Sequence, residues 1–83
     1  MKELTVIITG KKPNRREGIV QLNGVLPNES LTPKLARRAA RVAQGTSAGA
    51  TVWDWEAGVG YRLYKHSARR LYLDEHGGVY AKS

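Results

Sequence analysis

Residues 61–82 read YRLYKHSARRLYLDEHGGVYAK, and in them Tyr64, Tyr72 and Tyr80 recur every eight residues with basic residues threaded between. GYRLYKH, RRLYLDE and VYAK read as short strands parted by SA and HGG, each with the alternation of a strand that buries one face. Parity then decides which residues share a face. Tyr61, Leu63 and Lys65 lie on one side of their strand, and Arg62, Tyr64 and His66 on the other. A two-residue turn at Ser67 and Ala68 sets Leu63 opposite Tyr72 and mixes apolar with polar on both faces. A loop of three residues (67–69), or of five, pairs Leu63 with Leu73 and Tyr64 with Tyr72. A three-residue loop at His76, Gly77 and Gly78 agrees with it, adding Val79 and Ala81 to the leucine side and Tyr80 and Lys82 to the tyrosine side. The expected core face is therefore Leu63, Leu71, Leu73, Val79 and Ala81. The outer face carries Arg62, Tyr64, His66, Arg70, Tyr72, Asp74, Tyr80 and Lys82, with Arg62 opposite Asp74.

TVWDWE (51–56) supplies one more strand. A three-residue turn at AGV (57–59) sends Trp53 and Trp55 to the core face, whereas a two-residue turn at Ala57 and Gly58 places both among the tyrosines. The chain has no phenylalanine, so the core needs those rings and the first alternative is preferred.

Further upstream, ELTVIITG (3–10) and GIVQLNGVL (18–26) make an antiparallel hairpin whose connection KKPNRRE carries Lys11, Lys12, Arg15 and Arg16. PNESLTPKLARRAARVAQG encodes a helix at about 32–44, with Ser30 or Thr32 as N-cap, Pro33 in the first turn and Gly45 as the stop. Leu35, Ala39 and Val42 form its apolar stripe, widened by Ala36, Ala40 and Ala43, and Lys34, Arg37, Arg38 and Arg41 cluster opposite. GTSAGA (45–50) is a small-residue connector; no Gly-Lys-Ser/Thr follows to make it a phosphate loop. The expected fold is α+β, one domain over 1–83: an N-terminal β-hairpin, one amphipathic helix, then a C-terminal antiparallel meander, in the order ββαββββ with the helix packed on one face of the sheet. That order differs from the βαββαβ of the RNA-recognition motif, whose aromatic signature is also absent.

A chain of 83 residues buries a small core. It has no cysteine and two histidines, so neither a disulfide nor a closed metal site staples it; no metal or cofactor is expected, and a homodimer or larger homo-oligomer is. The apolar run in MKELTVIITGKK is too short for a signal peptide and no stretch is long enough to span a membrane, so a soluble, cytoplasmic protein is expected.

Fourteen Lys and Arg against seven Asp and Glu give a formal charge of +7. The acids punctuate three basic blocks, with none between Glu3 and Glu17, Glu29 and Asp54, or Glu56 and Asp74. Such a surface suits polyanions. Lys11, Lys12, Arg15 and Arg16 on the hairpin arm, and Lys34, Arg37, Arg38 and Arg41 on the helix, are the candidate phosphate contacts. Tyr64, Tyr72 and Tyr80 are candidates for base stacking or a protein interface, with Arg62, His66, Arg70 and Lys82 as base or phosphate contacts. Each has a plainer explanation: a solvated helix face, and cross-strand aromatic pairs that stabilise a sheet. No Ser, His and Asp arrangement with a recognisable signature appears, and Asp74, Glu75 and His76 alternate in direction rather than converge, so no enzymatic activity is expected. Two functions fit: a small nucleic-acid-binding protein, for DNA or RNA, or an interaction module, such as an inhibitor, antitoxin-like or phage-type accessory protein, that docks on an acidic protein surface.

Overall fold

Thr32 opens the helix. Its hydroxyl accepts from the Leu35 N–H at 3.2 Å, Pro33 occupies the first turn, and Gly45 closes the last at φ +81°, donating its N–H to the Arg41 carbonyl at 2.9 Å. The computed structural model describes residues 1–7, 18–76 and 78–81. Within them the order is β1 (Lys2–Ile7), β2 (Ile19–Leu22), α1 (Pro33–Gln44), β3 (Thr51–Asp54), β4 (Val59–Leu63), β5 (Ala68–Leu73) and β6 (Val79–Ala81), the expected ββαββββ. The strands form one antiparallel sheet in the order β2-β1-β3-β4-β5-β6.

Helix α1 lies across β1–β4 on one face. It turns Ala36, Ala39 and Ala40 inward, fully buried, and such small side chains let the helix backbone approach the sheet closely. Beneath them Leu4, Val6, Val20, Leu22, Val52, Tyr61 and Leu63 form the core, closed at the ends by Val25, Leu31 and Ala50. The expected stripe is rotated, since Val42 is exposed and Leu35 only half-buried. Alanines fit the closest approach, and the bulkier Val42 rides outside it.

At the far end of β1, Lys2 Nζ stands 2.7 Å from Asp54 Oδ2 and donates to the Pro27 carbonyl at 2.9 Å, with both side chains buried. The contact at Oδ2 is an ion pair rather than an aligned hydrogen bond, and Oδ1 accepts from the Ala57 N–H at 3.3 Å. Charges removed from water in this way hold together only as a pair.

The register of the meander departs from expectation. Tyr64 N–H donates to the Ser67 carbonyl at 2.8 Å, so β4 and β5 are joined by a two-residue turn at Lys65 and His66, and Leu63 pairs with Ala68, not Leu73. One slip of parity moves every side chain of β5 and β6 to the other face. Leu71, Leu73, Val79 and Ala81 consequently lie on the face opposite the helix, and of the expected core residues only Leu63 lies beneath the helix. The reason is the reach of α1: it packs on β1–β4, so leucines on β5 gain no cover by facing its side.

The tryptophans settle on the helix-free face too, because four residues (55–58) join β3 to β4, which is the parity of the two-residue alternative. Trp53 is nevertheless only 3% exposed. Its ring lies over Gly60, where a Cβ would come within 2.5 Å of Cε3, and stacks on Trp55 with centroids 5.6 Å apart. Trp55 Nε1 donates to Thr5 Oγ1 at 2.7 Å. Leu71 pairs with Gly60 in the ladder and so sits beside this covered patch.

Candidate nucleic-acid interface

The strand ladder sorts charge by pole. Asp54, Glu56, Asp74 and Glu75 all lie where β4 and β5 meet as Val59↔Tyr72. The Lys2–Asp54 pair brings Glu3 to that end, and the Lys2 bond to Pro27 brings the turn in which Glu29 accepts from the Leu26 N–H at 3.1 Å. Every described acid therefore stands at one pole. The opposite pole, where Leu63 meets Ala68, holds Arg62, Arg69, Lys65 and His66, all exposed.

Arg62 and Arg69 are direct cross-strand partners. Like charges directly opposed across a ladder are destabilising, and neither forms an ion pair with any described acid. Arg62 instead lays its guanidinium 5.8 Å from the centroid of Tyr64, the next residue on its face. The expected Arg62–Asp74 pairing is thus overturned, by the same slip that moved the leucines. Arg37 reaches the pole from the helix, donating to the Ser67 carbonyl at 2.8 Å and to Ser47 Oγ at 3.2 Å, so it fastens the turn that carries Lys65 and His66.

The other helix cations diverge. Arg38 donates to the Asn23 carbonyl at 2.7 Å on the far flank of α1, and with Lys34 and Arg41 it borders a groove that also contains Glu29. The helix thus presents no single basic face. Lys11, Lys12, Arg15, Arg16 and Lys82 lie outside the described residues.

The tyrosines divide between the two sides of the sheet. Tyr72 pairs with Tyr80, centroids 5.6 Å apart and planes 26° from parallel, but on the helix side, where β5 and β6 extend past α1. Tyr64 belongs to the helix-free side, so the three do not form one row. Val59, not Tyr64, is the β4 partner of Tyr72; Tyr61 joins this side through Arg70, its ladder partner, whose guanidinium lies 5.8 Å from the Tyr61 centroid and 5.5 Å from that of Tyr72. Tyr61, Arg70, Tyr72 and Tyr80 thus make a continuous ladder across three strands.

Arg69 and Lys65 were not singled out by sequence, although both fall in the run from 57 to 73 that contains no acid. His66 and His76 occupy opposite poles, and Asp74 is engaged as a turn cap, its Oδ1 accepting from the N–H groups of His76 and Gly78 at 2.9 and 2.6 Å. Among the described residues no group of His, Asp and Glu is placed to hold a metal ion, and no helix is long and apolar enough to cross a membrane. No protein-family model, no curated protein and no solved structure matches the chain.

Proposed function

We propose that this is a small, non-enzymatic nucleic-acid-binding protein whose phosphate contacts centre on Arg62 and Arg69, with Lys65 and Arg37 beside them and Tyr64 offering a ring to an unstacked base. The observation that carries the reading is the direct opposition of Arg62 and Arg69 at a pole distant from every described acid. A phosphate between them relieves their repulsion and releases counterions from the nucleic acid, which is the main source of backbone affinity.

The test is fluorescence anisotropy with labelled single-stranded DNA, single-stranded RNA and duplex DNA at about 50 and 200 mM salt, a range over which several phosphate contacts change affinity by orders of magnitude. Sub-micromolar binding of one form that survives the higher salt is expected, and Arg62→Gln should lower the salt slope by about 1. Absence of binding to every oligonucleotide at the lower salt refutes the reading.

A second reading is favoured by the Arg70–Tyr72–Tyr80 row: an interaction module that docks this edge on an acidic protein surface, since Tyr and Arg are enriched at interface centres. The two separate by mutation. Tyr72→Ala, on the side away from Arg62, leaves oligonucleotide binding intact under the first reading and abolishes partner capture under the second.

A further inference from the structure

Strand β6 ends the sheet, and among the described residues no strand pairs with its outer edge. The direction of its free backbone groups follows from the turn. Asp74 N–H donates to the Gly78 carbonyl at 2.8 Å, which makes residues 74 and 78 a hydrogen-bonded pair. Such pairs alternate along an antiparallel ladder, so Tyr72↔Tyr80 is the next one, and Leu73↔Val79 and Leu71↔Ala81 are non-hydrogen-bonded pairs. The N–H and C=O groups of Val79 and Ala81 therefore point away from β5, out of the sheet. Edge strands are ordinarily blunted by being very short, as this one is, and also by lysine, proline or a bulge within the strand. Val79-Tyr80-Ala81 contains none of the latter three, and Val79 and Tyr80 are 58% and 49% exposed.

We propose that this edge pairs with the same edge of a second copy of the chain, antiparallel, about a two-fold axis at Tyr80. In that register Val79 of each copy faces Ala81 of the other as a hydrogen-bonded pair, which satisfies every outward group of the strand, and the two Tyr80 residues meet on the axis as a non-hydrogen-bonded pair, where side chains approach most closely. Three observations select a second copy over a foreign strand. The free donors and acceptors are symmetric about Tyr80, as an isologous interface requires. The Tyr72–Tyr80 stack continues into its own image, giving a row of four rings on the helix side, and on the other side Leu71, Leu73, Val79 and Ala81 join their counterparts. The antiparallel arrangement also lays the acidic pole of each copy beside the basic pole of the other. Arg62 and Arg69, on β4 and β5, stay uncovered at opposite ends of the joined sheet.

Sedimentation equilibrium of the full chain from about 1 to 300 μM tests this, with circular dichroism to confirm that each variant is folded. The native chain should reach twice its 9.2 kDa mass. Ala81→Pro removes an outward N–H without touching the bonds to β5, a substitution that edge strands tolerate, and it should return the mass to that of a monomer. Tyr80→Glu and Tyr80→Lys should each be monomeric alone, because like charges then face each other across the axis, and should recover the dimer when mixed. A native chain that stays monomeric at the highest concentration overturns the proposal. So does a folded Ala81→Pro chain that dimerises undiminished, or a mixture of the two Tyr80 variants that fails to associate.

Discussion

Replacing Arg69 by glutamate should strengthen the fold and weaken nucleic-acid binding at once. In the native ladder Arg69 faces Arg62 directly, and no described acid relieves the pair. The substitution removes a like-charge opposition and creates an opposite-charge cross-strand pair, two effects of similar size that are each about 0.2–1 kcal/mol on an exposed ladder. Together they amount to roughly 0.5–1.5 kcal/mol. For a domain of this size about 1 kcal/mol raises Tm by ~4–8 °C, so the variant should melt about 2–12 °C above the native chain in low salt. The gain should shrink at about 1 M salt, where charges further apart than ~3 Å are screened. Arg69→Gln, which only removes the repulsion, should give about half the increase. In anisotropy the same Arg69→Glu chain should lose at least tenfold in oligonucleotide affinity at low salt, with its salt slope smaller by about 1. Thermal denaturation followed by circular dichroism reads the first effect. A chain that melts lower than native in low salt would refute the register and the electrostatic argument together. A rise in Tm with unchanged affinity would leave the register standing and remove Arg69 from the interface.

Two substitutions examine the frame that positions this pole. Gly60→Ala introduces a Cβ about 2.5 Å from the Trp53 ring, so it should destabilise by ~1–3 kcal/mol through overpacking and alter the near-ultraviolet tryptophan signal; urea denaturation measures the loss. Lys2→Met leaves the Asp54 carboxylate buried without its cation and should cost about 3–5 kcal/mol, whereas replacing Asp54 by leucine in the same chain should recover much of it.

The element order and the helix were legible because their signals are local. Thr32, Pro33 and Gly45 bracket α1 by capping chemistry that needs no knowledge of the tertiary fold, the β-branched residues of ELTVIITG and GIVQL mark the first two strands, and apolar-polar alternation marks those after the helix. Faces in the C-terminal meander were not legible, because they depend on where a turn without glycine or proline falls. Between Leu63 and Leu71 the sequence YKHSARR accepts a turn at Lys65–His66 as readily as at 67–69, and alternation alone favoured the version that gathered the leucines under the helix. The width of α1 decided otherwise: twelve residues rich in alanine cover four strands, and β5 lies beyond them. Trp53 was rightly expected inside but against the wrong partners, since its ring lies over Gly60 and stacks on Trp55 on the face opposite the helix. The candidate site inherits both outcomes. Arg62 and Tyr64 were legible as exposed neighbours, while the opposition of Arg62 and Arg69 follows only from the register.

The most direct test of the account compares two double variants of equal net charge. Arg62→Gln with Arg69→Gln removes two positive charges at the basic pole; Asn28→Glu with Ser30→Glu adds two negative charges on exposed residues near the acidic one. Both lower the formal charge from +7 to +5. The quantity to measure is the slope of log affinity against log salt for whichever oligonucleotide binds the native chain best. A slope smaller by about 2 for the arginine variant and unchanged for the other is the predicted result. Equal losses in the two variants would mean that only net charge matters, and would contradict a phosphate site at Arg62 and Arg69.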